Sequence, residues 1–279
     1  MKKRTLIIVA AVSAALLLGG GTMLLKDDVV QMAKSAEIRE FSISEKVRTE
    51  LDDISDELTK ATEPETITSE EISDDSEPVR ATGTLPAEVL QQLKDTAKNL
   101  KSAYPDAIGW LYIPDTSINY PLMQGNDNDY YLHHAYDGSK LTAGSIFLDY
   151  RCENRLLNPI NVVYGHNMKN GSMFAGLLKY GDVAYFDEHR YGWLATESIV
   201  YRIDFFSLAK AAREDAIYDG SQPVADWMPR LRSLSIICNE MIYTETDRFI
   251  SLSTCSYEFK NARTVLTGKL VEMREDDMD

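Results

Sequence analysis

Cys255 closes a short β-prone run, Ser251-Leu252-Ser253-Thr254-Cys255-Ser256-Tyr257, and Arg263 follows shortly after it. A thiol attacks carbonyl carbon as its thiolate, which is scarce at neutral pH unless a neighbouring base takes the proton or a cation stabilises the anion. A candidate base, His166, ends a second short apolar run, Asn161-Val162-Val163-Tyr164-Gly165-His166. Arg263 would add a permanent cation whose rigid fork of donors suits a substrate carbonyl or the oxyanion of a tetrahedral intermediate. A cysteine, a histidine and an arginine, each beside a strand, point to acyl transfer at the rim of a β-structure. Singly the signals are weak, because an arginine on a strand is more often a solvated edge residue.

The elements that must position this trio are read from texture. After Pro105 the chain breaks into short apolar or alternating runs separated by Gly, Asn, Asp and Pro, the pattern of a β-rich domain. Strands are predicted around Ile108 to Ile113, Ile118 to Pro121, Gly144 to Leu148, Asn161 to Tyr164, Ile199 to Ser207, Phe249 to Thr254 and Thr264 to Met273. So many short strands imply a barrel or a sandwich. Two helical insertions are predicted, one near Ser172 to Tyr180 and one from about Gln222 to Ile237, with Val224, Trp227, Leu231 and Leu234 on one face. The domain is expected to span 85–279, opening on an amphipathic helix whose Leu90, Leu93, Ala97 and Leu100 recur at helical spacing.

Ahead of it, residues 5–25 carry no charge and are long enough to span a bilayer, with Lys2, Lys3 and Arg4 before them and Asp27 and Asp28 after. This predicts a single-pass anchor, a cytoplasmic tip at 1–4 and a catalytic domain on the extracellular side of the cell membrane. The expected cleavable-signal alternative would have a shorter apolar region and a small-residue cleavage site. Residues 26–84 are read as a stalk and linker, helical over part of 29–60. From 61 to 80 the acids Glu63, Glu65, Glu70, Glu71, Asp74, Asp75 and Glu77 dominate, as in a solvated tether. The net charge of −15 argues against a nucleic-acid partner, since phosphate contacts need clustered Lys and Arg.

Three cysteines do not make a disulfide framework. Cys238, after Leu234, Ile236 and Ile237, reads as a small buried hydrophobe, and Cys152 as incidental in a loop. His133 and His134 would point to opposite faces of a strand and have no ligand at zinc spacing, so no metal is predicted. His189 reads as a surface helix residue. Asn126-Asp127-Asn128-Asp129 lacks the glycine and distal glutamate of a calcium loop and reads as a turn. No cofactor is expected.

Ser-Leu-Ser-Thr-Cys255 with Arg263 beyond it, and Val-Val-Tyr-Gly-His166, resemble the sortases, specifically class B, whose signature is Thr-Leu-x-Thr-Cys with an Arg at the start of the next strand. Ser251 departs from the usual Thr but keeps a β-hydroxyl. The resemblance runs from about Ala107 to Val271 through Gly109-Trp110-Leu111-Tyr112-Ile113-Pro114, Asn119-Tyr120-Pro121, Asn128-Asp129-Tyr130-Tyr131-Leu132, Gly144-Ser145-Ile146-Phe147-Leu148-Asp149 and Ser253-Thr254-Cys255-Ser256-Tyr257-Glu258-Phe259. The helical insertion before the Cys strand is also similar to class B. The resemblance implies a closed barrel of about eight strands, mainly β with helical additions. It further implies a cysteine transpeptidase of Gram-positive surfaces that forms a thioacyl intermediate on Cys255. Its partners would be surface proteins or pilins bearing a C-terminal sorting signal, and an amine from a peptidoglycan precursor or a pilin. His166 would be acid and base, Arg263 the oxyanion cation, and Ser253, Thr254, Asn128, Leu132, Ile217 and Tyr218 would line the peptide groove. For Leu132 and Ile217, ordinary barrel core is an equal reading. Two alternatives stay open: a cysteine peptidase or wall hydrolase using the same acyl intermediate, and a non-catalytic surface barrel in which Cys255 is merely buried.

Overall fold

A computed structural model describes Val30, Lys34, Ile38 and residues 41–61, 84–256 and 258–275. In chain order the elements are α1 (Glu45–Ala61), β1 (Thr84–Leu85), α2 (Ala87–Ala103), β2 (Ala107–Tyr112), β3 (Asn119–Met123), β4 (Ile146–Leu148) and β5 (Ile160–Tyr164). There follow α3 (Val183–Glu188), β6 (Tyr191–Ala195), β7 (Val200–Ala212), α4 (Val224–Leu234), β8 (Ser235–Cys238), β9 (Arg248–Cys255), β10 (Ala262–Glu272) and β11 (Arg274–Glu275).

The sheet runs β10-β9-β5-β4-β3-β2-β6-β7 and closes on itself through a β7–β10 pairing, making a barrel of eight strands. Closure is possible because β7 and β10 are long, pairing from Ala262↔Ala212 to Glu272↔Tyr201 with a bulge at Thr267/Gly268 that bends the ladder. β8 hangs outside the ring on β7. The expected barrel is therefore present, with differences in its parts. β6 was not foreseen, because Tyr-Gly-Trp-Leu-Ala is buried along its whole length and shows no alternation. The helix expected to reach Ile237 stops at Leu234, and residues 235–238 pair with β7 instead. Cys238 is thereby turned to solvent, while Cys152 is the buried cysteine, its thiol pushed up to about 11 by burial. The insertion near 172–180 is a 3₁₀ segment, Ala175–Gly181, followed by the short α3. His133 and His134 follow the 3₁₀ turn Tyr130–Leu132 and do not lie on a strand.

Side-chain alternation along β9 divides the interior into two clusters. Ile250 and Leu252 face the barrel core with Val163, Leu208 and Leu266. Phe249 faces outward, where Ile160, Val162, Phe206, Val265 and Ile217 meet Trp227, Met228 and Leu231 of α4. α4 thus roofs the outer face of β5, β9, β10 and β7. On the opposite side α2 buries Leu90, Leu93, Ala97 and Leu100 as its spacing predicts. α1 behaves as part of the same body: Val47 and Leu51 are buried, Tyr112 donates its hydroxyl to Asp52 (2.6 Å) and Trp193 donates to Ser55 (3.1 Å).

The membrane placement is corrected. Among the described residues no helix is long and apolar enough to cross a membrane; α1 and α2 are amphipathic and rich in Lys, Asp and Glu. The apolar run 5–25, on which that expectation rested, lies outside the described residues, as does most of the acidic tether.

Candidate active site

The trio is brought to one place by backbone pairing. β5 and β9 are parallel neighbours, so both end at the same rim; Tyr164 is the register partner of Ser253. The pairing continues past the strand, with Gly165 N–H donating to Ser253 O (3.1 Å) and the Asn167 amide donating to Cys255 O (3.0 Å). His166 lies in the segment so tied, between Gly165 and Asn167 and two residues beyond Tyr164, as Cys255 is two residues beyond Ser253. On the other flank Arg263 opposes Cys255 directly in the antiparallel β9–β10 ladder, and directly opposed residues share a face. Cys255 and Arg263 lie on the outer face, continuing the side of Phe249 and Val265.

Small residues permit this approach. A side chain at Gly165 would come within 2.7 Å of the Phe174 ring. Gly144, at φ +58°, leaves room for the backbone carbonyls of Tyr131 and Leu132, which a Cβ would strike at 2.3 and 2.6 Å. The second of those carbonyls matters chemically. His166 Nε2 lies 2.8 Å from Leu132 O, and since a carbonyl has no proton to give, Nε2 is the donor in this contact. The imidazole is thus held by the loop, and among the described residues no thiol–imidazole hydrogen bond forms. Exposed His133 places its ring 6.3 Å from that of His166.

The residues expected to line a groove divide. Tyr218 and Ser253 meet, hydroxyl to hydroxyl at 3.1 Å, both buried. Burial pushes the Tyr218 phenol up to about 12 against the hydrogen bond of Ser253 and the charge of Arg263. Ile217 is buried under α4 and its carbonyl accepts from Trp227 Nε1 (3.1 Å), a packing role. Thr254 turns to the inner face, donating to Gly165 O (2.8 Å); it staples the His166 segment to the Cys255 strand. Asn128 is half-buried and accepts from Tyr150 N–H (3.1 Å), while Leu132 contributes its carbonyl. Asn126–Asp129 is a turn in which Asp127 accepts from the backbone of Asp129 and Tyr130. Tyr164, Asp149, Arg151 and Asn167 were not singled out beforehand, although Tyr164 and Asp149 lie inside the quoted motifs. Their partners are distant in sequence, so spacing offered no signal.

No protein-family model matches the chain. Over 206 residues the chain is 35% identical to sortase B of Listeria monocytogenes, the match covering 72% of this chain and 84% of the relative. The chain belongs to the class B sortases. The fold agrees: sortase B of Clostridium perfringens superposes with a TM-score of 0.58 at 32% identity, over 62% of this chain and 98% of that one. A sortase B–substrate complex from Staphylococcus aureus gives 0.60 at 26% identity, over 64% and 86%. This sortase is accordingly a cysteine transpeptidase.

Proposed function

We propose that this sortase cleaves a sorting-signal peptide of the Asn-Pro-x-Thr or Leu-Pro-x-Thr-Gly kind after its Thr and joins the Thr to an amine of a cell-wall precursor or a pilin. The Cys255 thiolate attacks the Thr carbonyl carbon, forming the C–S bond of a tetrahedral intermediate. Collapse breaks the C–N bond, and the leaving amine takes its proton from the His166 imidazolium. The incoming amine then attacks the thioester and surrenders a proton to His166. Expulsion of the thiolate restores the enzyme. Arg263 faces the oxyanion at each stage. With Nε2–H engaged by Leu132 O, Nδ1 is the nitrogen that exchanges the proton. A single observation supports this reading: Arg263 opposes Cys255 across the β9–β10 ladder, and the segment after β5 that carries His166 is hydrogen-bonded to the end of β9 through Gly165 and Asn167.

The test is product analysis. The full-length protein is incubated with a sorting-signal peptide and a glycine oligomer, and the ligated mass is sought, with a thioacyl adduct trapped on Cys255. Cys255→Ala should lower transfer by about 10³-fold or more. Hydrolysis without ligation across several amines would replace the transferase reading by a peptidase one. Undiminished transfer by Cys255→Ala would remove the nucleophile assignment.

A further inference from the structure

One turn, Asp149 to Cys152, touches two of the residues expected to line the groove, Asn128 and Tyr218. It follows β4 and is tied to the barrel through Asp149 N–H to Val162 O (2.8 Å) and through the Gln124 amide, which donates to the carbonyls of Asp149 (3.0 Å) and Cys152 (2.8 Å). At its centre Asp149, 1% exposed, receives both Nε (2.9 Å) and Nη2 (2.6 Å) of Arg151. A buried carboxylate stands only when paired and hydrogen-bonded, and the fork of Arg supplies both. Oδ2 also accepts from the hydroxyl of Tyr164 (3.0 Å). Burial works against the Asp149 charge, but Arg151 and Tyr164 outweigh it and hold the carboxyl below the usual range.

Arg151 also reaches outward. Its Nη2 donates to the carbonyl of Tyr218 (3.2 Å), and the Tyr218 hydroxyl meets Ser253, two residues before Cys255. From the same turn Tyr150 N–H donates to Asn128. The turn thus grips the Asn128 loop on one side and the Tyr218 wall on the other. Tyr164, ring centroid 6.1 Å from that of Tyr218, lies between.

We propose that the Asp149–Arg151 pair is a positioning unit for the peptide groove, setting the spacing between the Asn128 loop and the Tyr218 wall. This rests on the sorting-peptide reading given above. Arg is required because one side chain must chelate Asp149 and reach Tyr218 O together, which a Lys point charge cannot do.

The experiment compares full-length wild type with Arg151→Lys and Arg151→Ala, the first retaining charge should the second fold poorly. Three readouts are taken: amide hydrogen exchange, the KM and kcat for a sorting-signal peptide, and alkylation of Cys255 by iodoacetamide. Both variants should exchange about tenfold faster at residues 216–220, raise KM about tenfold and leave kcat and alkylation within about twofold. Unchanged exchange at 216–220 would overturn the proposal. Faster exchange throughout β9 and β10 would also overturn it, marking the pair as a general prop of the fold. Should wild type process no sorting peptide, the transpeptidation reading falls, and exchange at 216–220 still decides whether Arg151 holds the wall.

Discussion

The two halves of the site are built by different means. Cys255 and Arg263 are opposed in the β9–β10 main-chain ladder, whose geometry is nearly independent of side-chain identity, and His166 follows directly on β5, the parallel neighbour of β9. The groove wall is placed by side chains: Arg151 to Tyr218 O, Tyr218 to Ser253, Asn128 to Tyr150 N–H. On the proposed reading, chemistry sits on paired backbone and recognition on side-chain contacts that single substitutions can retune. Binding residues carried on loops over a rigid scaffold are the general form of this arrangement.

The comparison breaks if a ladder-held residue proves tolerant. Arg263→Lys keeps the charge and the register but loses the planar fork, and should lower kcat/KM by about 10²-fold with little change in melting temperature. Gly165→Ala attacks the ladder itself. Its methyl group meets the Phe174 ring, so the His166 segment must shift, and transfer should fall by about tenfold or more; Gly165→Ala with Phe174→Leu should recover part of it. If the single variant is fully active, the close approach at this point does not position His166.

Effects on the side-chain half should be smaller and graded. Tyr218→Phe removes the hydroxyl contact with Ser253 and should cost about 1 kcal/mol in urea unfolding, with a rise in peptide KM exceeding any change in kcat. Asp149 adds a pH signature. Its folded-state pKa is depressed, so its contribution to stability is full above the unfolded value of about 4 and is lost as pH falls through the folded one. The melting-temperature gap between wild type and Asp149→Asn should accordingly narrow from about pH 6 to about pH 3. A gap that widens on acidification would contradict the pairing with Arg151. Least affected should be Glu258→Gln. Lys210 holds the Glu258 carboxyl down at about 2, but Glu258 itself is exposed, and stability near neutral pH should hardly move.

This division explains which features could be read from residues alone. The strand runs ending in His166 and Cys255 are periodic and local, and Arg263 opens the next run, so the ladder-held trio was visible as three punctuation marks in an alternating pattern. Thr254 was assigned to the groove because it adjoins Cys255, yet adjacent strand residues face opposite ways, and its hydroxyl is spent on Gly165 O. Tyr191–Ala195 escaped notice because a strand covered on both faces has no polar alternate. Residues 235–238 continued a helical apolar pattern, but their contact with β7 draws them into extended pairing. The Arg151–Tyr218 link joins residues far apart in the chain through a carbonyl, which has no signature in residue identity.

The closure of the ring between β7 and β10 also bears on how the protein is made. β9 must insert between β5, encoded well before it, and β10, which follows, so both neighbours of the reactive strand are non-local or late. Contacts of long sequence separation form slowly, because the intervening chain must be ordered before they repay its entropy. A nascent chain that has not yet released β10 from the ribosome lacks the cation opposite Cys255 and the strand that seals the barrel. The strand that carries Cys255 therefore completes its pairing only when β10, the last long strand, is in place.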